Sequence, residues 1–321
     1  MKRLFLTVTL ALGVVCCAFA KAPKEIKVLY WNIQNGMWAD QPHNYDNFVE
    51  FVKAEDPDVC VWCEAESRYR DSTARRMAGC EEAYLPYNWD ILARRYGHKY
   101  WCLAGKRDTF PQVVTSKYPV KCVKRINGDG KDIIVVHGAG LVEVDLGWGE
   151  PLKVVTLHTW PQKYAYLAED QAASAAQQGG DVFRSVEMKY ICEQTILQAG
   201  PDAAKQRWVM LGDFNAISSV DNYHYGLSPD DKCFLTQDYV LNNTPYVDII
   251  AEMYPGNFQK STLSGRRIDL VYVTPALFSK VKSARIIHEG FPDCYRIKDI
   301  PDIHNFCHPS DHYPVEFVIG R

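Results

Sequence analysis

The chain is organised around one stretch, Val209-Met210-Leu211-Gly212-Asp213-Phe214-Asn215. Residues 208–211 are apolar and predict a buried strand, and Gly212 permits a tight exit from that strand. Asp213 and Asn215 are two residues apart, so their side chains point the same way in an extended chain. Together they can hold an oxygen that belongs to a phosphate or is bound to a metal. A strand-end aspartate taken alone more often forms a turn or caps a helix, so the rest of the chain decides its meaning.

The composition indicates the class of protein. The chain has 321 residues, of which 47% are apolar and 12% aromatic, and can therefore bury a large core. No Pro/Ser-rich linker, repeat or low-complexity run divides it, so we expect one large domain. The formal net charge of −3 comes with no basic stripe of the kind that drives tight nucleic-acid binding. A nuclease is still allowed, because catalysis needs only a local positive patch or a metal.

The first twenty residues predict a secretory signal peptide. Lys2 and Arg3 precede an apolar run over residues 4–15, and Ala18-Phe19-Ala20 forms a small-residue cleavage site. The apolar run is too short to span a bilayer, and we predict no transmembrane segment in the mature chain. We therefore expect a single catalytic domain over residues 21–321, secreted or periplasmic.

The eleven cysteines leave two questions open. Cys16 and Cys17 could indicate a lipid-modified cysteine. Valines precede them where small residues would be expected, so we favour a protein without a lipid anchor. Removal of the signal peptide leaves nine cysteines, and an odd number in an exported protein means an unpaired thiol or an intermolecular bond. Cys294 and Cys307 flank a polar loop and are the preferred disulfide. The Cys60-Val61-Trp62-Cys63 segment lies in an apolar strand pattern and predicts buried packing thiols.

Polar residues also stand at the ends of other strand patterns, or inside them. They are Asn32, Glu64 after residues 59–63, His158 after a β-branched segment, Asp269 within an apolar run, and Asp311 with His312. Each has an ordinary structural explanation when taken singly, such as a bonded core amide, a surface carboxylate or a structural histidine. A carboxylate inside an apolar strand is costly unless it is paired, and a histidine is the obvious partner for Asp269. Strand ends from distant parts of an α/β chain meet at one edge, so we expect these residues to form one site.

The residue types in this predicted site indicate its chemistry. Hard oxygen ligands, without a group of cysteines or three histidines, favour Mg²⁺ or Mn²⁺ over zinc. Two histidines and several acids around such an ion suit attack by water on phosphorus, with the ion stabilising phosphoryl charge. The sequence therefore predicts a metal-dependent phosphoesterase.

Several further segments make local predictions. Residues 133–136 and 140–146 predict two separate strands, and residues 162–180 predict a mobile loop or a short helix. Residues 183–199 predict a longer helix. Residues 221–244 are polar and aromatic, and predict an excursion that faces the substrate.

With these motifs, the sequence resembles the endonuclease/exonuclease/phosphatase superfamily over nearly the whole mature chain. The segments that carry the resemblance are Trp31-Asn32-Ile33, Pro57-Asp58 to Glu64, Leu157-His158-Thr159, Gly212-Asp213-Phe214-Asn215, Arg267-Ile268-Asp269 and Ser310-Asp311-His312. The His158-Thr159-Trp160-Pro161 segment is more similar to the deoxyribonuclease and sphingomyelinase side than to the apurinic endonucleases. Cys63 is a departure, because many members have Gln there. The resemblance implies an α/β fold, a four-layer α/β/β/α sandwich of two mixed sheets with outer helices.

The resemblance also implies a metal site. Glu64 would be the principal Mg²⁺ ligand, with Asn32 and Asp311 near the ion, and Mn²⁺ could replace Mg²⁺.

Roles for the other polar residues follow from the same resemblance. Asp213 and Asn215 would orient the attacking water and a phosphate oxygen. His312, held by Asp269, would be a base or a stabiliser of phosphoryl charge, and His158 would protonate the leaving oxygen. We could not assign the acid that orients this last histidine in some relatives.

We therefore expect a secreted phosphodiesterase that hydrolyses a nucleic acid, phospholipid or phosphosugar diester, and a monomer. A phosphomonoesterase on the same scaffold is one alternative. A binding module that kept the fold and lost turnover is another. The substrate stays open, because specificity lies in loops such as residues 162–180 and 221–244.

Overall fold

The computed structural model describes residues 22–67, 88–289, 295–296 and 307–321. The predicted signal peptide (residues 1–20) and Cys294 of the predicted disulfide lie outside the described residues. The strands, in chain order, are β1 (Glu25–Asn32), β2 (Val59–Cys63), β3 (Tyr100–Leu103), β4 (Val113–Ser116), β5 (Val120–Gly128), β6 (Ile134–Val144), β7 (Leu152–His158), β8 (Trp208–Asp213), β9 (Val247–Asp248), β10 (Asp269–Val273), β11 (Val281–Ile286), β12 (Tyr295–Arg296), β13 (Cys307–His308) and β14 (Val315–Gly320).

The helices are mostly short. They are α1 (Gln34–Met37), α2 (Asp46–Glu55), α3 (Trp89–Arg95), α4 (Gln171–Ala176), α5 (Gly179–Glu193), α6 (Asn222–Tyr225), α7 (Leu235–Asn243), α8 (Ile249–Met253) and α9 (Pro275–Phe278). Stretches of 3₁₀ helix cover Trp38–His43, Pro201–Lys205, Ser219–Asp221 and Lys232–Phe234. Among the described helices, none is both long enough and apolar enough to span a membrane.

Two six-stranded mixed sheets form the centre of the molecule, with the strand orders β11-β14-β1-β2-β4-β3 and β5-β6-β7-β8-β10-β9. In the first sheet β1 pairs parallel to β2 and antiparallel to β14. In the second sheet β7 pairs parallel to β8, and β8 antiparallel to β10. The two sheets therefore repeat one arrangement, in which a parallel pair sits at the centre of a mostly antiparallel sheet.

The strands are buried on both faces, which explains their nearly continuous apolar sequences. In β1, Val28 and Tyr30 join the core between the sheets, while Leu29 and Trp31 join the core under α2 and α3. The second sheet packs its other face against α5 and α7 in the same way. Because successive side chains point to opposite faces, one strand supplies two cores. The result is the expected four-layer sandwich, and the predicted fold class is confirmed.

The pairing of the strands brings their polar ends together. His158 and Asp269 are the register partners of Asp213 on either side of β8, and Asn32 is paired with Cys63 in the other sheet. Gly212 makes the close packing of β7 and β8 possible, because a Cβ there would meet the carbonyl oxygen of Leu157 at 2.1 Å. The site therefore lies where the central strands of both sheets end.

Some local predictions need correction. The two strands predicted at residues 133–136 and 140–146 are one continuous strand, β6. Gly138 has a φ of 73°, and a Cβ on Gly140 would meet the Cβ of Ala104 at 2.7 Å, so these glycines allow bending and close packing rather than a break. β11 was not predicted. Two other predictions are confirmed: the segment 162–180 contains the short helix α4, and Cys60 and Cys63 are buried free thiols. Residues 221–244 contain α6 and α7, and their position facing the substrate stays a prediction.

Candidate active site

Asn32 links the two acids at the centre of the site. Its side chain is fully buried, and its amide nitrogen donates to Asp213 Oδ2 at 3.0 Å and to Glu64 Oε1 at 3.3 Å. Its amide oxygen accepts the backbone N–H of Gln34 at 3.0 Å. The amide orientation is therefore set by partners on both sides, with the NH₂ group facing the carboxylates. Asn32 holds together an acid from each sheet.

Glu64 is placed by an unusual backbone. It follows β2 with a φ of 53°, in the left-handed region that L residues rarely adopt. Opposite it, every residue of α1 has positive φ, so that this element is a left-handed turn. Gly36 fits there because a Cβ would meet the hydroxyl oxygen of Ser67 at 2.5 Å.

This turn aims backbone donors at Glu64. The N–H of Asn35 donates to Glu64 Oε2 at 2.8 Å, and the N–H of Gly36 donates to the Glu64 carbonyl at 2.7 Å. Each L residue held in the left-handed backbone conformation costs on the order of 1–2 kcal/mol of conformational free energy. Strain of this kind persists where the surrounding structure fixes a functional geometry. The carboxylate is therefore held rigidly in the site.

The electrostatics around Glu64 favour a cation. Burial raises its pKa, His158 opposes that rise, and the negative charge of Asp311 adds to it. Asp311 precedes His312, and its Oδ1 lies 3.9 Å from His312 Nε2. Glu64 and Asp311 are two nearby carboxylates that each raise the free energy of the other's charge. A hard divalent ion, which prefers oxygen ligands, would neutralise both.

Asp269 and His312 form a buried pair. His312 Nδ1 lies 2.8 Å from Asp269 Oδ2, and the carboxylate also accepts hydrogen bonds from the hydroxyls of Tyr30 and Ser261, at 2.8 and 2.7 Å. Burial lowers the pKa of His312, but the charges of Asp269, Asp311 and Asp213 outweigh burial and hold it well above its ordinary value. These charges favour the protonated form of the imidazole, whose Nδ1 faces Asp269.

His158 approaches the same acid from its own strand end. The Nε2 atoms of His158 and His312 each lie 3.7 Å from Asp213 Oδ2. His158 Nδ1 lies 3.2 Å from the carbonyl oxygen of Phe110, which can accept its N–H. Asp213 is buried and is thus flanked by two imidazoles, each slightly beyond direct hydrogen-bonding distance.

Asn215 completes the turn after β8. Its φ is 48°, its N–H donates to Asp213 Oδ1 at 2.9 Å, and its amide nitrogen donates to the carbonyl of Thr159 at 3.1 Å. The turn therefore fixes the second oxygen of Asp213 and ties β8 to the segment after His158.

A compact group of possible metal ligands lies within this site. Ligand atoms of Asp213, Asp269 and His312 all lie within 4.8 Å of one another, so this buried group could hold an ion. Both oxygens of Asp269 already accept hydrogen bonds, however, and one of those bonds comes from His312. These bonds occupy the oxygens of Asp269 and leave the Glu64 side as the better cation site.

All eight sequence-predicted residues meet in this one network. Sequence reasoning missed Tyr30, Ser261, Asn35 and the carbonyl of Phe110. A tyrosine in an apolar strand is a weak signal for a buried hydroxyl, and backbone donors and acceptors leave no signal in the sequence.

Comparisons with known proteins bear on this arrangement. The sequence matches the model of the Endonuclease/Exonuclease/phosphatase family over residues 29–312. A comparison with curated proteins found no match.

Several solved structures have a similar fold. An AP endonuclease from Archaeoglobus fulgidus has a TM-score of 0.55 and 15% identity, over 92% of this chain and 99% of that chain. The human Nocturnin catalytic domain with bound sulfate has a TM-score of 0.56 and 15% identity, over 92% and 93%. The 3′ phosphatase NExo from Neisseria, bound to a product DNA hairpin, has a TM-score of 0.55 and 15% identity, over 92% and 100%. At this identity the similarity shows the fold alone.

Proposed function

Since the chain belongs to the endonuclease/exonuclease/phosphatase family, we propose that it is a Mg²⁺-dependent phosphodiesterase. The observation that carries the proposal is the position of Asp213 Oδ2, 3.7 Å from the Nε2 atoms of both histidines. This spacing leaves room for a group that contacts the acid and both imidazoles. A phosphodiester attacked by water needs these three contacts: an acceptor for the water, a donor to the phosphoryl oxygen and a donor to the leaving oxygen.

The residues present fit a hard divalent ion. Glu64 and Asp311 supply carboxylate oxygens, and we propose Glu64 as the principal ligand because backbone donors fix its position. When bound, Mg²⁺ or Mn²⁺ would stabilise negative charge on the phosphoryl oxygens. The amide nitrogen of Asn32 faces both acids, so we assign Asn32 to holding Glu64 and Asp213 in place. Direct ligation by its amide oxygen stays a prediction.

The side chains of the protein supply the remaining catalytic contacts. Asp213 accepts a hydrogen bond from the attacking water, and Asn215 keeps the carboxylate in place. His312, a cation through its contact with Asp269, donates a hydrogen bond to the phosphoryl oxygen and stabilises its charge. The raised pKa of His312 favours this role over that of a base. His158 donates a proton from Nε2 to the leaving oxygen, with its Nδ1–H held by Phe110.

We also propose export of the mature chain, residues 21–321. Its support is the run of Lys2 and Arg3, apolar residues 4–15 and Ala18-Phe19-Ala20.

A screen of the mature protein tests the proposed activity. Bis(4-nitrophenyl) phosphate and 4-nitrophenyl phosphate are compared with Mg²⁺, with Mn²⁺ and with EDTA, followed by DNA, RNA, sphingomyelin and phosphosugars. We expect the diester to be preferred and EDTA to abolish turnover. Preference for the monoester would make the protein a phosphomonoesterase, and no turnover with either metal would make it a binding module.

Matched variants then connect the activity to the site. Glu64→Gln keeps the side-chain volume and removes the charge, so activity should fall by about 10²-fold or more, since metal-site charge is worth several kcal/mol. Glu193→Gln on the outer helix α5 is the control, because Glu193 is exposed, and its activity should equal that of the wild type.

A further inference from the structure

His137 is a buried histidine that stacks on His158. It lies on β6 and is 5% exposed, and neither ring nitrogen has a hydrogen-bond partner among the described residues. Its ring stacks on His158, with the centroids 4.4 Å apart and the planes at 23°. Buried polar atoms without partners destabilise a fold, so an unpaired imidazole at this position calls for an explanation. With its nitrogens unused, the ring acts through its flat face.

The surroundings hold this ring in place. Phe110 contacts His137 edge-on with the ring centroids 5.5 Å apart, and Trp160 lies nearly parallel to it at 6.4 Å. The buried carboxyl group of Glu187 accepts the backbone N–H groups of Val136 and Trp160 at 2.9 and 2.8 Å. One acid on α5 therefore fixes the backbone beside both histidines.

His158 needs such a support. Its Nδ1 bonds to the carbonyl of Phe110 at 3.2 Å, and its Nε2 stands off from Asp213 at 3.7 Å. A single hydrogen bond fixes one direction in the ring but not the plane of the ring. Phe110 meets this ring edge-on with the centroids 6.5 Å apart, and His137 covers its face.

The charge state of His137 also suits its contact with His158. Burial lowers its pKa to about 2, and the nearby charges of His158 and Lys106 act in the same direction. A neutral ring does not repel a protonated neighbour, and the face of an aromatic ring attracts a cation.

We propose that His137 is a positioning residue for His158: its stacked ring fixes the plane of the His158 imidazole and keeps Nε2 directed at the leaving oxygen. The proposal rests on the proposed function, in which His158 is the general acid. It requires a flat ring at position 137 and does not require the imidazole nitrogens. His137→Phe should therefore keep the activity, and substitution of His137 by an aliphatic side chain should lower it.

The test compares two leaving groups in two diesters of similar shape. Diphenyl phosphate releases phenolate, which needs a proton more than the nitrophenolate released by bis(4-nitrophenyl) phosphate. His137→Leu should lower kcat/KM for diphenyl phosphate by about tenfold or more, a share of the 10²–10⁴-fold that a positioned acid contributes. The loss on the nitrophenyl diester should be much smaller, and His137→Phe should restore both activities. Glu193→Gln, on the exposed side of α5, is the control and should change neither activity.

Two kinetic results with His137→Leu would mean that His137 does not act through the general acid, and they would overturn the proposal. One is an equal loss on both diesters in His137→Leu, which is what a purely structural role predicts. The other is a further loss when His137→Leu is added to His158→Ala, because a residue that acts through His158 has no effect once His158 is gone. If His158→Ala itself shows no leaving-group dependence, the general acid of the proposed function is wrong. If His158→Ala loses activity selectively on diphenyl phosphate but His137→Leu does not, His158 remains the general acid and only the role proposed for His137 is wrong.

The proposal stays testable if His137→Leu does not fold. His137→Met fills the space with a flexible side chain and should show the same selective loss. In the wild type, NMR relaxation of a ¹³C-labelled His158 ring should give the order parameter of a rigid ring. A mobile ring in the wild type would contradict the proposal without any variant.

Discussion

Asp269→Asn should disable His312 while it leaves the fold intact. Ionised Asp269 accepts three hydrogen bonds, from Tyr30, Ser261 and His312 Nδ1. Asparagine can keep its one acceptor oxygen towards Ser261 and His312 Nδ1 and turn its NH₂ group to the hydroxyl oxygen of Tyr30, which can accept. The substitution therefore keeps the hydrogen bonds and removes the negative charge that favours the imidazolium form of His312.

The size of the effect follows from the distance and the burial. Two unit charges about 4 Å apart interact by about 4 kcal/mol at an effective dielectric constant of 20. Asp269 is fully buried and His312 is 8% exposed, so solvent screens the pair little. A loss of about 4 kcal/mol corresponds to about 10³ in an equilibrium constant. We therefore expect kcat/KM for a diester near neutral pH to fall by about 10³-fold and the pKa of His312 to fall.

Two measurements check this prediction. Long-range ¹H–¹⁵N NMR reports the tautomer and the titration of His312, and kcat/KM for bis(4-nitrophenyl) phosphate reports catalysis. Asp202→Asn is the control, since Asp202 is exposed and pairs only with Lys205 among the described residues. An unchanged titration of His312 would show that the two side chains are not coupled. A loss of activity explained by unfolding, seen in the thermal transition, would also refute the reasoning.

Three further predictions concern other groups. Glu64→Gln should weaken Mg²⁺ binding measured by calorimetric titration, because a hard dication prefers a carboxylate; activity lost at unchanged affinity would remove Glu64 from the metal site. His158→Ala should lower kcat/KM for an alkyl or phenyl diester by about 10²–10⁴-fold and spare the nitrophenyl diester, whereas equal losses would remove His158 from the mechanism. Burial raises the pKa of Glu187 to about 8, above its unfolded value. Its contribution to stability is therefore complete below about pH 4.3 and is lost as the pH rises through about 8, at up to about 1.4 kcal/mol per pH unit. Denaturant unfolding of the wild type and of Glu187→Gln over this range should show converging or crossing stabilities, and parallel curves would contradict the burial of an ionisable Glu187.

The architecture and the set of residues that form the site could be predicted from the sequence. Continuous apolar strand patterns indicate strands buried on both faces, and they mark where each strand ends. Because polar residues at those ends are visible in the sequence, Glu64, His158 and Asp213 could be assigned to one site before any coordinates. The pairing of Asp269 with a histidine followed from the cost of an unpaired buried carboxylate.

The orientation of these residues and the contacts that support them depend on how the two sheets pack. The direction of the Asn32 amide depends on Gln34 on one side and on acids from both sheets on the other. The hydroxyls of Tyr30 and Ser261, the carbonyl of Phe110 and the ring of His137 reach the site through strand register and sheet packing. A pattern of apolar and polar residues concerns neighbours in the chain, and it indicates which face of a strand or helix a residue occupies. Contacts between residues far apart in the chain are fixed only when two sheets pack at one register, and these contacts set the direction of each proton in the site.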